Sequence, residues 1–109
     1  PPLIGVTRRG EAPRLFTAPP DHAARMQGYA GSVALLAGAQ EVAITSPRGG
    51  LVQVVDFGTG ALKRTIDMVD VCGVAASGAG FLLTSGTGEV RGAAHARHDL
   101  HWDNHLVPI

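Results

Sequence analysis

The chain has 109 residues, with nine basic and nine acidic side chains, and its 45% apolar content includes few aromatic residues. A chain of this length forms one domain or part of one, and it can bury roughly two thirds of its unfolded surface. Because the charges cancel and no basic cluster is present, we predict no nucleic-acid partner. The apolar runs are too short to predict a transmembrane segment. The single cysteine, Cys72, excludes an intrachain disulfide.

The first thirty residues predict a hairpin followed by a short helix. Two apolar runs, 3–6 and 14–17, flank a polar, glycine-containing turn, which is the pattern of two paired strands. Asp21 is expected to cap a helix over residues 22–27, because its carboxylate can accept the free N–H groups of a first helical turn. Gly28 is expected to end that helix.

A repeat occupies the rest of the chain. Residues 32–46 (SVALLAGAQEVAITS) and 72–85 (CGVAASGAGFLLTS) are alike, and the pair Thr45-Ser46 recurs as Thr84-Ser85. The offset of about 40 residues is the length of one four-stranded propeller blade. We therefore predict a first blade-like repeat over residues 31–70 and a second, partial repeat over 71–109.

The predicted fold class is all-β, built from antiparallel four-stranded meander repeats that resemble β-propeller blades, with one short helix. Turn residues separate the apolar runs into short strands. The predicted strands are 32–37, 41–45, 51–57 and 61–68 in the first repeat, and 72–76, 81–85, 89–94 and a C-terminal strand over 106–109 in the second.

The chain begins Pro1-Pro2 rather than with methionine, so we expect it to be a piece of a longer repeat protein. A repeat removed from its array leaves apolar sheet faces and sheet edges uncovered. We therefore predict a homo-oligomer that forms through exposed sheet edges.

Five motifs, in the same order along the chain, resemble the bacterial domain-of-unknown-function family fifteen-thirteen. Each motif is short, and their joint occurrence carries the resemblance. They are residues 8–11 (RRGE), 28–34 (GYAGSVA), 45–50 (TSPRGG), 72–75 (CGVA) and 102–106 (WDNHL).

The resemblance implies a periplasmic protein with a propeller-like, repeat-built body, of which this chain is the C-terminal part. It also implies a relation to exported proteins that are encoded near imelysin-type and other iron-uptake components. No activity is established for the family, so the resemblance supplies no catalytic residues.

The histidine-rich tail is the main candidate for metal chemistry. On a strand, His101, Asp103 and His105 would point to one face, where two imidazoles and a carboxylate could hold iron or zinc. On a helix, the facing set would instead be His98, His101 and His105. The alternative is structural: Trp102 fills the core, while Asp103 and Asn104 bond to backbone groups at a turn.

Arg48, in the turn of the first repeat, is the other candidate ligand-binding residue, together with Trp102, Asp103, Asn104 and His105. Its guanidinium can bind a carboxylate or a phosphate, although the same residue also suits an exposed turn. Cys72 begins a small, apolar strand, where a thiol is usually an inert packing group.

Three hypotheses about function follow from these residues. The first is a periplasmic binding or scaffold module that serves iron uptake and has protein partners. The second is a metal-dependent enzyme with a site around His101, Asp103 and His105. The third is a purely structural domain of a larger protein. Since no catalytic set is present in the sequence, we favour binding over catalysis.

Overall fold

The computed structural model describes residues 4–17, 19–92, 95–102 and 105–109. The described residues form ten strands, which make one two-stranded hairpin and two four-stranded antiparallel sheets. The hairpin consists of β1 (Ile4–Val6) and β2 (Arg14–Phe16), and it is followed by the short helix α1 (Pro20–Arg25). This architecture confirms the all-β class with antiparallel four-stranded meanders and one short α-helix.

The two four-stranded sheets are simple meanders in which each strand pairs with the next. The first meander contains β3 (Val33–Leu36), β4 (Glu41–Ser46), β5 (Leu51–Asp56) and β6 (Leu62–Asp67). A 3-10 turn, Ala37–Ala39, joins β3 to β4. The second meander contains β7 (Val71–Ser77), β8 (Gly80–Ser85), β9 (Glu89–Arg91) and β10 (His95–Arg97).

Both faces of the two central strands of the first meander, β4 and β5, are covered. On one face, Ala43, Val52 and Val54 pack against Val74 and Leu83 of the second meander. The opposite face packs against the hairpin and the helix, through a cluster of Ile4, Met26, Val42, Ile44, Leu51 and Val55. Because β4 and β5 are buried on both faces, their apolar residues are consecutive, as in 42–44 and 54–55, and do not alternate with polar ones.

The N-terminus of the helix differs from the prediction. Pro19 occupies the N-cap position, no side chain caps the helix, and Asp21 lies within the first turn. The prediction that Asp21 caps the helix is therefore wrong. The physical reason is Pro20, whose fixed φ suits the first helical position and starts the helix two residues earlier than predicted. The helix ends before Gly28, which has a φ of 67°.

The chain after residue 94 also differs from the prediction. The fourth strand of the second meander is His95–Arg97, paired with β9, whereas residues 105–109 form no strand. The strand predicted over residues 106–109 is therefore absent. Strand β10 pairs with the free edge of β9. The side chains of His95 and Arg97, in β10, also pair with Glu89 of β9. Because Pro108 lacks an N–H group, residues 106–109 are less suited than residues 95–97 to pair with that edge.

The repeated dipeptides occupy equivalent places in the two sheets. Thr45-Ser46 ends β4 and Thr84-Ser85 ends β8, which are the second strands of their meanders, and all four residues are buried. The turn after β4, the link between β6 and β7 and the turn after β8 lie at the same end of the two sheets. We call this the turn end, and define it by residues 47–50, 68–70 and 86–88. Within the described ranges, no helix is long and apolar enough to cross a membrane.

Candidate functional site

The C-terminal tail runs along the turn end from the second meander to the first. The backbone N–H of His98 donates to the carbonyl of Gly88 over 2.8 Å. His101 then donates from Nδ1 to the carbonyl of Gly86. Farther along, Nδ1 of His105 lies 2.9 Å from Oγ of Ser32, which precedes the first strand of the other sheet. The tail therefore connects the two meanders at this end.

The tail meets the first meander at a small cavity of about 60 Å³. Its lining residues come from the segment before β3, the turn after β4, the start of β7 and the tail; they are Tyr29, Gly31, Ser32, Pro47, Cys72 and His105. A cavity measured in this way needs about 10–15 Å³ to hold one water molecule. The cavity therefore has room for a few water molecules or for a small polar group.

Thr45 joins the two sheets beside this cavity. Its Oγ1 accepts a hydrogen bond from the Ser32 backbone N–H over 2.9 Å and donates to the carbonyl of Cys72 over 2.8 Å. Both bonds are buried, so the loss of either bond would leave a buried polar group without that partner and would lower the stability of the fold. The repeated threonine thus holds the start of β3 and the start of β7 together.

Arg48 contacts Tyr29, which lines the same cavity. Its guanidinium lies 5.1 Å from the centre of the Tyr29 ring, in cation–π contact. The Gln27 side chain donates to the Arg48 carbonyl over 3.3 Å, which fixes the turn. The structure therefore brings Arg48 and His105, two of the predicted site residues, to one place at the turn end.

The other predicted residues of the tail are placed differently. Trp102 is half-buried and its ring meets the ring of His98 edge-on, with 5.6 Å between the centroids. It belongs to neither apolar cluster of the described core. Asp103 and Asn104 lie outside the described residues.

The metal hypothesis rests on Asp103, so it stays a prediction. His101 and His105 use their Nδ1 atoms on separate partners, Gly86 and Ser32, and each has only Nε2 left for a metal. In the part of the chain that the structure describes, no group of three His, Cys, Asp or Glu residues could hold a metal ion.

A larger cleft of about 500 Å³ lies on the other side of the turn after β4, between the two meanders. Its lining is strongly charged. The residues are Arg25, Gly49, Gly50, Asp67, Met68, Val69, Thr87, Glu89, Arg91 and Arg97. Three arginines against two carboxylates leave one positive charge in the cleft.

A buried carboxylate, Glu89, organises the second-meander side of this cleft. Arg91 donates to its Oε1 over 2.6 Å, and His95 Nε2 lies 3.0 Å from the same oxygen. Burial raises the pKa of Glu89, but Arg91, His95 and Arg97 lower it by more, so the pKa lies below its ordinary value. Glu89 is therefore ionised at neutral pH.

Arg97 is the loosest member of this group. Its Nη2 lies 3.8 Å from Oε2 of Glu89, which is beyond hydrogen-bond distance, and its side chain is 64% exposed. By contrast, Arg25 is bonded to Asp67 over 2.6 Å, and Arg91 donates to the Asp67 carbonyl as well as to Glu89. Arg97 is thus held near the cleft by charge, and its N–H groups are available to a ligand.

The comparison with known proteins gives a family and no activity. Residues 1–109 match the family model described as "Protein of unknown function (DUF1513)". The chain belongs to this family. No curated protein matches it. The match confirms the resemblance that the five sequence motifs indicate.

Sequence reasoning missed the cleft, although the sequence contains a signal for it. In β9 and β10, Glu89 and Arg91 are two residues apart, as are His95 and Arg97, so each pair lies on one face of its strand. The register then places Arg97 opposite Glu89 and His95 opposite Arg91. Alternating charge on two paired strands would have predicted this ion-pair group, had the fourth strand been placed at residues 95–97.

Proposed function

We propose that this DUF1513 chain is a non-catalytic binding module whose cleft takes a small ligand with a carboxylate or phosphate group. The observation that carries the proposal is Arg97, an arginine beside the cleft that makes no hydrogen bond to the carboxylate nearest to it. A guanidinium offers paired N–H donors that match the oxygens of a carboxylate or a phosphate.

The size and charge of the cleft support an anionic ligand. Its volume of about 500 Å³ falls within the range of about 300–1,000 Å³ of small-molecule sites. Asp67 neutralises Arg25, and Glu89 neutralises one of the two arginines beside it. The remaining positive charge belongs to the group that contains Arg97, so an anion completes the charge balance of the cleft.

The state of Glu89 favours binding over acid–base catalysis. A general acid or base works best when its pKa lies near the operating pH. The pKa of Glu89 is lowered by its cationic neighbours, away from neutrality. Its carboxylate therefore serves to position Arg91 and Arg97 around the cleft.

Calorimetric titration with succinate and with inorganic phosphate, at matched ionic strength, tests the site. We expect Arg97→Gln to weaken binding of the better probe about tenfold or more, which corresponds to the loss of one charge-assisted hydrogen bond. Arg9→Gln is the matched control, because Arg9 lies in the exposed turn of the hairpin. Equal binding by wild type and Arg97→Gln, or equal loss in both variants, would contradict the proposal.

The cellular setting is proposed from the family resemblance. We infer that the protein acts in the periplasm as a binding or scaffold module for iron uptake. Cell fractionation of a native host strain tests the first point, and a cytoplasmic location would overturn it. Co-purification from periplasm, in cells grown with and without iron, tests the second, and partners unrelated to iron uptake would overturn it.

A further inference from the structure

The two oxygens of the Glu89 carboxylate have different surroundings. Oε1 accepts a hydrogen bond from Arg91 over 2.6 Å and lies 3.0 Å from Nε2 of His95. Among the described residues, Oε2 takes part in no hydrogen bond, and the cation that faces it is Arg97, whose Nη2 is 3.8 Å away. The Glu89 side chain is only 8% exposed. Because a carboxylate on so buried a side chain is stabilised by hydrogen-bond donors, Oε2 is an acceptor for a ligand of the cleft.

Arg97 and Oε2 of Glu89 form a donor–acceptor pair in the wall of the cleft. Both residues line the cleft, and the 3.8 Å between Nη2 and Oε2 is too long for a direct hydrogen bond. A ligand that bonds to both needs an anionic acceptor for Arg97 and, beside it, a donor for Glu89. Since the two bonds run side by side into the cleft, the two ligand atoms have a similar, short separation.

We infer that the ligand of the cleft is a 2-hydroxycarboxylate, whose carboxylate binds Arg97 and whose hydroxyl donates to Oε2 of Glu89. This inference rests on the proposed anion site and names the class of its ligand. A carboxylate and a hydroxyl on neighbouring carbon atoms have the short separation that the pair requires. The hydroxyl gives Oε2 the hydrogen bond that a simple carboxylate does not supply, and bonds to charged groups are the stronger ones.

The charge of the cleft favours a hydroxyl over an ammonium group as the donor. Three arginines and two carboxylates leave one positive charge, which the carboxylate of a hydroxy acid neutralises. An amino acid carries a positive charge of its own, so it leaves the charge of the cleft unbalanced. Its ammonium group would also lie beside the guanidinium of Arg97, and like charges repel.

The same pair disfavours a phosphate ester. Such a group loses its last proton near about pH 6, so at neutral pH its free oxygens are acceptors only. One of them would lie beside Oε2 of Glu89, where two negatively charged oxygens repel each other. Of the two anions that suit Arg97, the carboxylate is therefore the one that Glu89 also accepts.

Three probes that differ in one group test the inference. Propionate, lactate and alanine carry a hydrogen atom, a hydroxyl and an ammonium group, respectively, on the carbon next to the carboxylate. In calorimetric titration at neutral pH and matched ionic strength, we expect lactate to bind about tenfold tighter than propionate, the effect of one hydrogen bond to a charged group. We expect alanine to bind more weakly than lactate. Malate against succinate repeats the hydroxyl comparison on a larger skeleton.

Glu89→Gln identifies the group that recognises the hydroxyl. Arg91 and His95 should hold the amide oxygen in the place of Oε1, so the amide nitrogen replaces Oε2 and cannot accept a hydrogen bond. We expect propionate to bind at least as well as before and lactate to lose its advantage. Glu41→Gln is the matched control, because Glu41 is also a buried carboxylate with two cationic partners but lies outside the cleft. It should keep the preference for lactate.

The outcomes separate this inference from the proposed function. Equal binding of lactate and propionate, with both weakened by Arg97→Gln, would overturn the hydroxy acid and keep the anion site. Tighter binding of alanine than of lactate would overturn it in favour of an amino acid, and binding of phosphate alone would overturn it in favour of a phosphate. A preference for lactate that survives Glu89→Gln would show that another group recognises the hydroxyl. Binding of none of these probes would overturn both proposals.

Discussion

Ser32 and His105 are 73 residues apart in the sequence, and Oγ of Ser32 lies 2.9 Å from Nδ1 of His105. Ser32 precedes the first strand of the first meander, whereas His105 follows the last strand of the second. Cys72, at the start of the second meander, lines the same small cavity. Three segments that are distant in sequence therefore meet at one point. The tail lies across both sheets, and we call it the strap.

A double-mutant cycle measures the contribution of this strap. We expect Ser32→Ala and His105→Ala to show a coupling energy of about 0.5–1.5 kcal/mol, the value of a typical side-chain hydrogen bond. Denaturant unfolding of the four proteins gives the coupling. Because Ser32 makes other interactions, the cycle is needed to isolate the bond to His105. Additive effects of the two substitutions would show that the contact contributes nothing.

The repeated threonines should respond differently to the same substitution. Thr45→Val removes two buried hydrogen bonds and leaves the Ser32 N–H and the Cys72 carbonyl without this partner. We expect it to lower the free energy of unfolding by about 1–3 kcal/mol. Chemical denaturation monitored by tryptophan fluorescence measures the change, since Trp102 is the single tryptophan.

Thr84→Val is the matched control, at the equivalent position of the second repeat. The Thr84 hydroxyl is buried and, among the described residues, has no hydrogen-bond partner. Replacing such a group with an apolar one of the same shape should be neutral or stabilising. Equal losses in Thr45→Val and Thr84→Val would contradict the distinction that the structure makes between the two repeats.

The sequence predicted the parts of the fold that depend on local pattern. The recurrence of Thr-Ser at positions 45 and 84 correctly placed the second strand of each meander, because turn residues and apolar runs recur around both pairs. The sequence also predicted the helix, but it placed the start too late because Asp21, and not Pro20, was expected to mark the N-terminus.

The parts that depend on partners distant in sequence were not predicted. Glu89 pairs with His95 and Arg97 across two neighbouring strands, and these contacts stabilise residues 95–97 as the fourth strand. Apolar content favoured residues 106–109 instead. The cleft was also not predicted, because its residues are distant in sequence. Arg25 and Asp67, for example, come from separate elements and meet only in the folded chain.

We expect the free energy of unfolding to decrease in acid because of Glu41. It is buried at the start of β4 and bonded to Arg64 over 2.8 and 3.2 Å and to Lys63 over 2.7 Å. A bulge beside Val54 and Val55 lets these consecutive residues reach one carboxylate. The bonds from Arg64 and Lys63 lower the pKa of Glu41 from 4.5 to about 2.

The folded chain therefore binds this proton less tightly than the unfolded chain does. The stability that Glu41 confers is fully present above pH 4.5 and is lost as the pH falls towards 2. We expect Glu41→Gln to cost about 2 kcal/mol at neutral pH, because Arg64 and Lys63 lose their carboxylate but can reach water. Urea unfolding between these pH values should be less pH-dependent in Glu41→Gln than in wild type. Glu11→Gln, in the exposed hairpin turn, should keep the wild-type profile.

Gly88 tests how the tail is fixed to the second meander. Its φ is 90°, and a Cβ there would overlap the backbone carbonyl of His98 and lie 2.6 Å from that of Leu100. Gly88→Ala should therefore strain the turn and push away the tail, at a cost of about 3 kcal/mol. Amide exchange should show loss of protection at His98, whose N–H donates to the Gly88 carbonyl.

Gly10→Ala is the control, because Gly10 has a similar φ of 82° with nothing within 4 Å of the added Cβ. It should cost only the backbone strain of about 1 kcal/mol, so an equal cost at both glycines would show that the tail does not pack against residue 88.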